Sequence, residues 1–517
     1  MPSNKKKEIW VKGAEVIQTS IFFMSEPTKF LVQEWPKFGL GNKIQHYISY
    51  MVEDFCRMYF IRHEFDSGAE FLTRKMFRDP VWALRLIDKI ERWSKLFMNE
   101  SKNILSSRMR TMTDKQLIKL YTDCLHYHAL QNGVGASVSW LADAEKERFT
   151  KGLWRRLEEH MQTVGSMHNI AEVFSILTTP REESFVAKEE RDFLAIAITI
   201  YHRSRVRNIF RSNKISNILP QIHTVDKKLF QRIRNHHAKY CWLSYQYRGP
   251  ASPIEEYLER WKEMIKGKSN PQALLTKYIR DRKQILARQS WLVKHLEITP
   301  SLKKLILLGQ RMVFIKAFRK EAVYHGMYAY DPLLREMGRR LGLTIAQMWA
   351  MKTEEVTDAL LNHAFNVDEL NDRQKLAVVF IDRKHHTIYS GKKAKVFLKK
   401  LSFEKAYAGK VREFQGTPAC PGKVRGIVKI VNIPEEMKKM KKGDVMVAHN
   451  TNPNLVPAMK KAAALVSESG GLTCHTAIVA RELRIPCIVG VIGADKLLKD
   501  GDKVEVNATT GIICKIK

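Results

Sequence analysis

No uncharged apolar run approaches the roughly 18 residues that a membrane-spanning helix needs, and the opening Met1-Pro-Ser-Asn-Lys-Lys-Lys-Glu8 leads into no long apolar stretch. A soluble protein with no membrane partner is expected. Cysteine is sparse: seven in 517 residues, with no Cys-x-x-Cys pair and no framework spacing. That excludes a disulfide scaffold and points to a reducing, cytoplasmic compartment. No Gly-x-x-x-x-Gly-Lys-Ser/Thr loop occurs, and Gly39-Leu-Gly41 is too isolated to cradle a nucleotide phosphate. Repeats of 20 to 50 residues are absent as well.

What is present is length, apolar content and positive charge. A chain of 517 residues exceeds one compact core, so two or three domains are expected, and 44% hydrophobic residues permit well-buried interiors. The 88 Lys and Arg against 54 Asp and Glu leave a formal charge of +34. Such a charge attracts nucleic acid or phosphorylated ligands. It is nevertheless dispersed through helical patterns, and the densest patch, Arg203-Ser-Arg-Val-Arg207 with Arg211 and Lys214, carries no reader motif. A solvated basic surface is favoured over a nucleic-acid partner.

From about 39 to about 372 the pattern is helical. Asp79-Pro80 has the form of an N-cap followed by proline at the first helical position, and Thr113-Asp-Lys-Gln116 that of a capping box. Pro271–Leu292 and Leu302–Leu341 extend the pattern. The expected organisation is a large all-α region over 1–375, a small strand-containing connector and linker over 376–413, and an alternating strand and helix domain over 414–517. Ala377–Asp382 and His386–Gly391 read as the connector's strands and 406–413 as the linker. In the last domain, Asn452 and Pro453 are expected to open a helix to Lys461.

One stretch carries chemistry. The apolar run Ala462–Val466 feeds a loop with Gly470 and Gly471, and His475 follows where a helical pattern begins, ended by Pro486. Free N–H groups and the positive dipole end at a helix start favour an anion beside the imidazole and disfavour imidazolium. Glycines let the backbone approach a phosphate, and the Thr473 hydroxyl can donate to it. By itself, Gly-Gly plus one histidine reads more readily as an ordinary glycine turn with a capping histidine.

The longer pattern Gly470-Gly471-x-Thr473-x-His475-x-Ala477-Ile478-x-Ala480-Arg481-Glu482 resembles the phosphohistidine motif of phosphoenolpyruvate synthase and pyruvate phosphate dikinase. The likeness spans about a hundred residues, including Gly416–Gly422, Gly443-Asp-Val, Thr451–Met459 and Gly501-Asp502. Cys420 stands where that family usually has serine, and Arg484 where a helix-ending glycine is usual. The resemblance implies a swivelling β/β/α domain in which His475 holds a phosphoryl group, supported by Gly470, Gly471, Thr473, Arg481, Thr451 and Asn452. It also implies Thr473 as a target of a regulatory kinase, whose phosphate would repel one on His475.

Arg311–Glu321, with Leu334–Leu343, is similar to the segment preceding that domain in rifampin phosphotransferase and its relatives, where a helical domain accepts the small-molecule substrate. Arg311, Arg319 and Lys320 could steady a transferring phosphoryl group, or simply pair with acids on their own helix faces. His237 and Trp242 lie in an aromatic, imidazole-rich patch suited to a ligand pocket, with core packing favoured. No ATP-grasp pattern or pyruvate-binding barrel is visible. The expectation is a phosphotransferase component with a small-molecule acceptor, no metal and no tightly bound cofactor, and ATP and Mg²⁺ used at a donor site on an ATP-grasp partner protein. A regulatory protein with a relic histidine domain and a basic nucleic-acid-associated protein remain the alternatives.

Overall fold

The computed structural model describes residues 8–516 except 18, 53–54, 145, 268–269, 405–412, 450, 452–454, 469–470, 472–473 and 492, and for Ile17, Pro434, His475 and Lys496 the backbone alone. Fourteen strands fall within these residues. They are β1 (Ile9–Ile17), β2 (Tyr47–Val52), β3 (Phe55–Ile61), β4 (Leu376–Ile381), β5 (His386–Ser390), β6 (Ser402–Phe403), β7 (Glu413–Gln415), β8 (Thr417–Cys420), β9 (Lys423–Ile430), β10 (Val445–Ala448), β11 (Ala464–Ser467), β12 (Cys487–Val489), β13 (Lys503–Asn507) and β14 (Ile512–Lys515).

Helices fill most of the chain between β3 and β4. Their starts follow the local chemistry: Asp79 Oδ1 accepts from Trp82 N at 2.9 Å with Pro80 in the first turn, and Thr113 and Gln116 form a reciprocal capping box. The helix Pro300–Leu341 is the spine of this region and packs along the helix Pro80–Ser106. The two approach so closely that a Cβ on Gly326 would overlap the Phe97 ring.

The large helical N-terminal region is present, with a strand component that helical periodicity hid. β1, β2 and β3 join β4, β5 and β6 in one six-stranded sheet ordered β5-β4-β2-β3-β1-β6. β2 and β4 pair antiparallel, Ser49 opposite Val379, so strands on both sides of the expected 375/376 boundary share a hydrogen-bond ladder. Short aromatic and β-branched runs such as Tyr47-Ile-Ser-Tyr-Met-Val52 look alike in a strand or a buried helix turn until a partner strand is known. The expected linker, 406–413, lies outside the described residues apart from Glu413.

The C-terminal strands form an eight-stranded sheet ordered β7-β14-β13-β9-β10-β11-β12-β8, in which β9, β10, β11 and β12 run parallel and the flanking strands antiparallel. Val428, Val445, Val447, Val466, Val504 and Ile513 pack into a buried core of its own. The domain is seated on the helical region by Thr417 on Glu147 at 2.8 Å, Lys460 on Glu190 at 3.3 Å, and the helix Ile170–Thr178 against β8. The expected helix to Lys461 is shorter, Val456–Met459, and its expected caps Asn452 and Pro453 lie outside the described residues.

Candidate active site

β11 leads through the glycine loop into the helix His475–Leu483, which returns the chain to β12, the parallel neighbour of β11. This connection places the helix start at the carboxyl ends of the parallel strands, where open sheets bind ligands. His475 is the first helical residue, after Cys474 as N-cap. The Cys474 thiol sulfur accepts from Ala477 N at 3.5 Å, and Cys474 N donates to Gly471 O at 2.9 Å, so the loop folds back onto the helix start. Thr451, after β10, is buried with its Oγ1 2.9 Å from Thr476 Oγ1. The structure thus brings Thr451 and Gly471 to the turn that carries His475. Gly470, Thr473 and Asn452 lie outside the described residues.

Arg481 has a different neighbourhood. At six residues and about 9 Å of helix rise beyond His475, its Nε donates to Ala419 O on β8 at 3.1 Å, which ties the helix to the edge strand. Arg484 caps the helix in the left-handed region, φ 54°, the conformation for which glycine is the usual residue.

The candidate contacts in the helical region separate sharply. Arg311 is saturated by Asp88 at 2.9 Å, Glu91 at 2.6 Å and Glu182 at 3.0 Å. His237 Nε2 lies 2.9 Å from Ser252 O, and Trp242 Nε1 donates to Lys239 O at 2.7 Å while its ring meets Phe185 and His325 edge-on. These three hold the fold, and their polar atoms already have protein partners. Arg319 and Lys320 instead line, with Lys316, a cavity of about 240 Å³ between the N-terminal sheet and the spine helix. Burial brings the Arg319 guanidinium down to about 10; burial, then the Lys316 and Arg319 charges, brings the Lys320 ammonium down to about 8. The Cys474 thiol, at the N-cap of the His475 helix, is among the groups that act electrostatically on Lys320.

Two features escaped sequence reading because their members are far apart in the chain. Glu147 is buried, adopts φ 49°, and packs against the glycine loop. His449, Glu468 and Asp495 meet at the ends of β10 and β11, with His449 Nδ1 3.4 Å from a carboxylate oxygen of each acid. That donor set would suit a hard divalent cation and equally closes on itself as an ion-paired cluster.

The strand, glycine loop and histidine-bearing helix lie within residues 440–511, which match the family described as PEP-utilising enzyme, mobile domain. Phosphoenolpyruvate synthases match the same region. That of Aeropyrum pernix is 42% identical over 137 residues, 26% of this chain and 17% of that protein. The probable phosphoenolpyruvate synthase of Archaeoglobus fulgidus is 48% identical over 99 residues, 19% of this chain and 13% of its own length, and the enzyme of Pyrococcus furiosus 48% over 101 residues, 20% and 12%. The chain therefore spans less than a fifth of the length of these relatives. The likeness supports a phosphohistidine phosphotransfer role and a phosphotransferase relationship over that part of the chain. No helix among the described residues is long and apolar enough to cross a membrane.

Proposed function

We propose that the protein is the carrier and acceptor half of a phosphotransferase. An imidazole nitrogen of His475 attacks a donor phosphorus, the bond to the donor's leaving group breaks, and the phosphoryl group then passes to a small-molecule acceptor held by the helical region. Splitting the transfer in two lets donor and acceptor bind at separate places. The observation that carries this reading is the cationic face of the spine helix, Lys316, Arg319 and Lys320, lining a cavity, with the Cys474 N-cap of the His475 helix acting electrostatically on Lys320. Phosphoryl transfer needs positioning and charge neutralisation above all. The helix N-terminus supplies the first neutralising group and the cationic face the second.

In this proposal Gly471 and Thr451 shape the turn, Gly470, Thr473 and Asn452 complete the phosphate's surroundings, and Arg481 positions the helix. The donor site belongs to a separate ATP-grasp protein, which would use ATP and Mg²⁺ there. The test is labelling with ATP alone, ATP plus cell extract, and phosphoenolpyruvate. An acid-labile, base-stable label that disappears in His475→Ala is expected; no label from any donor counts against the carrier function, and a label that survives the substitution moves it to another residue.

A further inference from the structure

The spine helix sets Lys316, Arg319 and Lys320 on one face, at positions i, i+3 and i+4, and all three line the same cavity. Among the described residues no carboxylate pairs with any of them: Arg319 donates to the Asn132 side chain and to Asn132 O, and the Lys320 ammonium lies 5.9 Å from the centroid of the Tyr324 ring. Three half-buried cations with no carboxylate paired to any of them are costly to hold together, and an arriving phosphoryl group supplies an anion for them. The remaining wall is apolar and aromatic, with Phe23, Met24, Leu31, Met58, Phe60 and Trp140. Such a wall selects an apolar ligand body.

Glu147 packs against Gly471 of the glycine loop, and the Lys316 charge of the cationic face acts on it. Its Oε2 accepts from Thr417 Oγ1 at 2.8 Å, whereas Oε1 is buried without a hydrogen-bond partner among the described residues, 2.6 Å from where a Cβ on Gly471 would stand. Lys151, one turn along its own helix, is 3.9 Å away; Asp143 from the preceding turn and Lys316 from the spine helix also act on it. A buried carboxylate oxygen left without a donor is either a cost to the fold or a group kept open for a proton.

Resting on the carrier function above, we propose that the cavity takes an apolar alcohol as phosphoryl acceptor and that Glu147 receives its hydroxyl proton. The alcohol oxygen forms the new O–P bond, the P–N bond to His475 breaks, its electron pair returns to the imidazole, and the proton passes to Glu147. Lys316, Arg319 and Lys320 offset the charge on the phosphoryl oxygens. A carboxylate acceptor, already ionised at neutral pH, would need no such base. Burial, then Asp143 alongside, lifts the Glu147 carboxyl to about 7, where it can take up a proton near neutrality.

The test charges His475 of the full chain chemically with potassium phosphoramidate, removes the reagent, and adds 2-phenylethanol as the probe between pH 6 and 9, following phosphate ester and inorganic phosphate by ³¹P NMR. Wild type is expected to form the ester at a rate that rises through about pH 7. Glu147→Gln is expected to keep the His475 label and lose roughly a hundredfold in ester formation together with the pH dependence, with Glu147→Asp restoring part of both. Ala136→Phe, which fills the cavity, should retain the label and release inorganic phosphate alone. Ester formation at the wild-type rate and pH profile in Glu147→Gln overturns the role of Glu147, and inorganic phosphate alone from wild type at saturating probe overturns the acceptor class. Failure of His475 to accept a label overturns the carrier function itself, a result distinct from the other two.

Discussion

Thr417 Oγ1, on the edge strand of the C-terminal sheet, donates a 2.8 Å hydrogen bond to Glu147 Oε2 of the helical region. This bond joins the two parts of the chain at the glycine loop. The same carboxyl group closes over Gly471 through its other oxygen.

That contact makes the loop glycine a packing requirement as well as a phosphate one. Gly471→Ala places a Cβ 2.6 Å from Glu147 Oε1 and is expected to cost about 1–3 kcal/mol, because Thr417 holds the carboxyl from the far side. In a Glu147→Ala background the cost should largely vanish, giving a coupling of about 1 kcal/mol or more in a double-mutant cycle of urea midpoints. Additive effects would place the two residues apart.

Arg311 and Lys320 should behave oppositely although both are cations of one helix. Arg311→Met strips a guanidinium from three carboxylates and is expected to lower stability by about 1–3 kcal/mol while leaving transfer from phosphorylated His475 unchanged. Lys320→Met removes an uncompensated charge from the cavity wall, so stability should hold while transfer slows roughly tenfold to a hundredfold. Paired thermal melts and single-turnover transfer rates separate the two.

Arg484 occupies the left-handed region at the end of the His475 helix, where an L side chain is strained by roughly 1 kcal/mol. Arg484→Gly is expected to raise the melting temperature, since the pair it gives up with Asp281, 3.9 Å apart and exposed on the arginine side, contributes little. A lowered melting temperature would mean that this pair outweighs the backbone strain.

His128 is fully buried between Phe23 and Phe97, stacked on both, with neither ring nitrogen hydrogen-bonded among the described residues. Burial, reinforced by the Arg319 charge, pushes its pKa down to about 3 from an ordinary 6.5. Between these values the unfolded chain binds a proton that the folded chain does not, so this residue's contribution falls as pH drops below 6.5. His128→Phe should flatten the acid limb of a stability profile from pH 6.5 to 4, by up to about 1.4 kcal/mol per pH unit, whatever its effect at neutral pH. An unchanged slope would mean that the ring is protonated inside the fold.

The histidine at a helix start was legible in the sequence because its parts are local. A glycine loop, a helix start and its histidine lie within a dozen residues, and short-range backbone geometry needs no distant partner. Arg311 and Arg319 show the limit: eight residues apart on one helix, they look equivalent in sequence, yet one meets three carboxylates and the other a cavity. β1, β2 and β3 were missed for the same reason, since the ladder joining Ser49 to Val379 reaches across 330 residues.

By itself the sequence determined the chemistry that backbone geometry can encode: a histidine at the first turn of a helix, after glycines, in a strand and helix domain at the end of a helical chain. The tertiary structure decided which charges are spent on the fold and which are left open. It set Glu147 against Gly471, left Lys316, Arg319 and Lys320 facing a cavity, and turned Arg481 towards β8. Charge compensation and desolvation depend on neighbours brought together by packing, and the spacing of residues along the chain does not contain them.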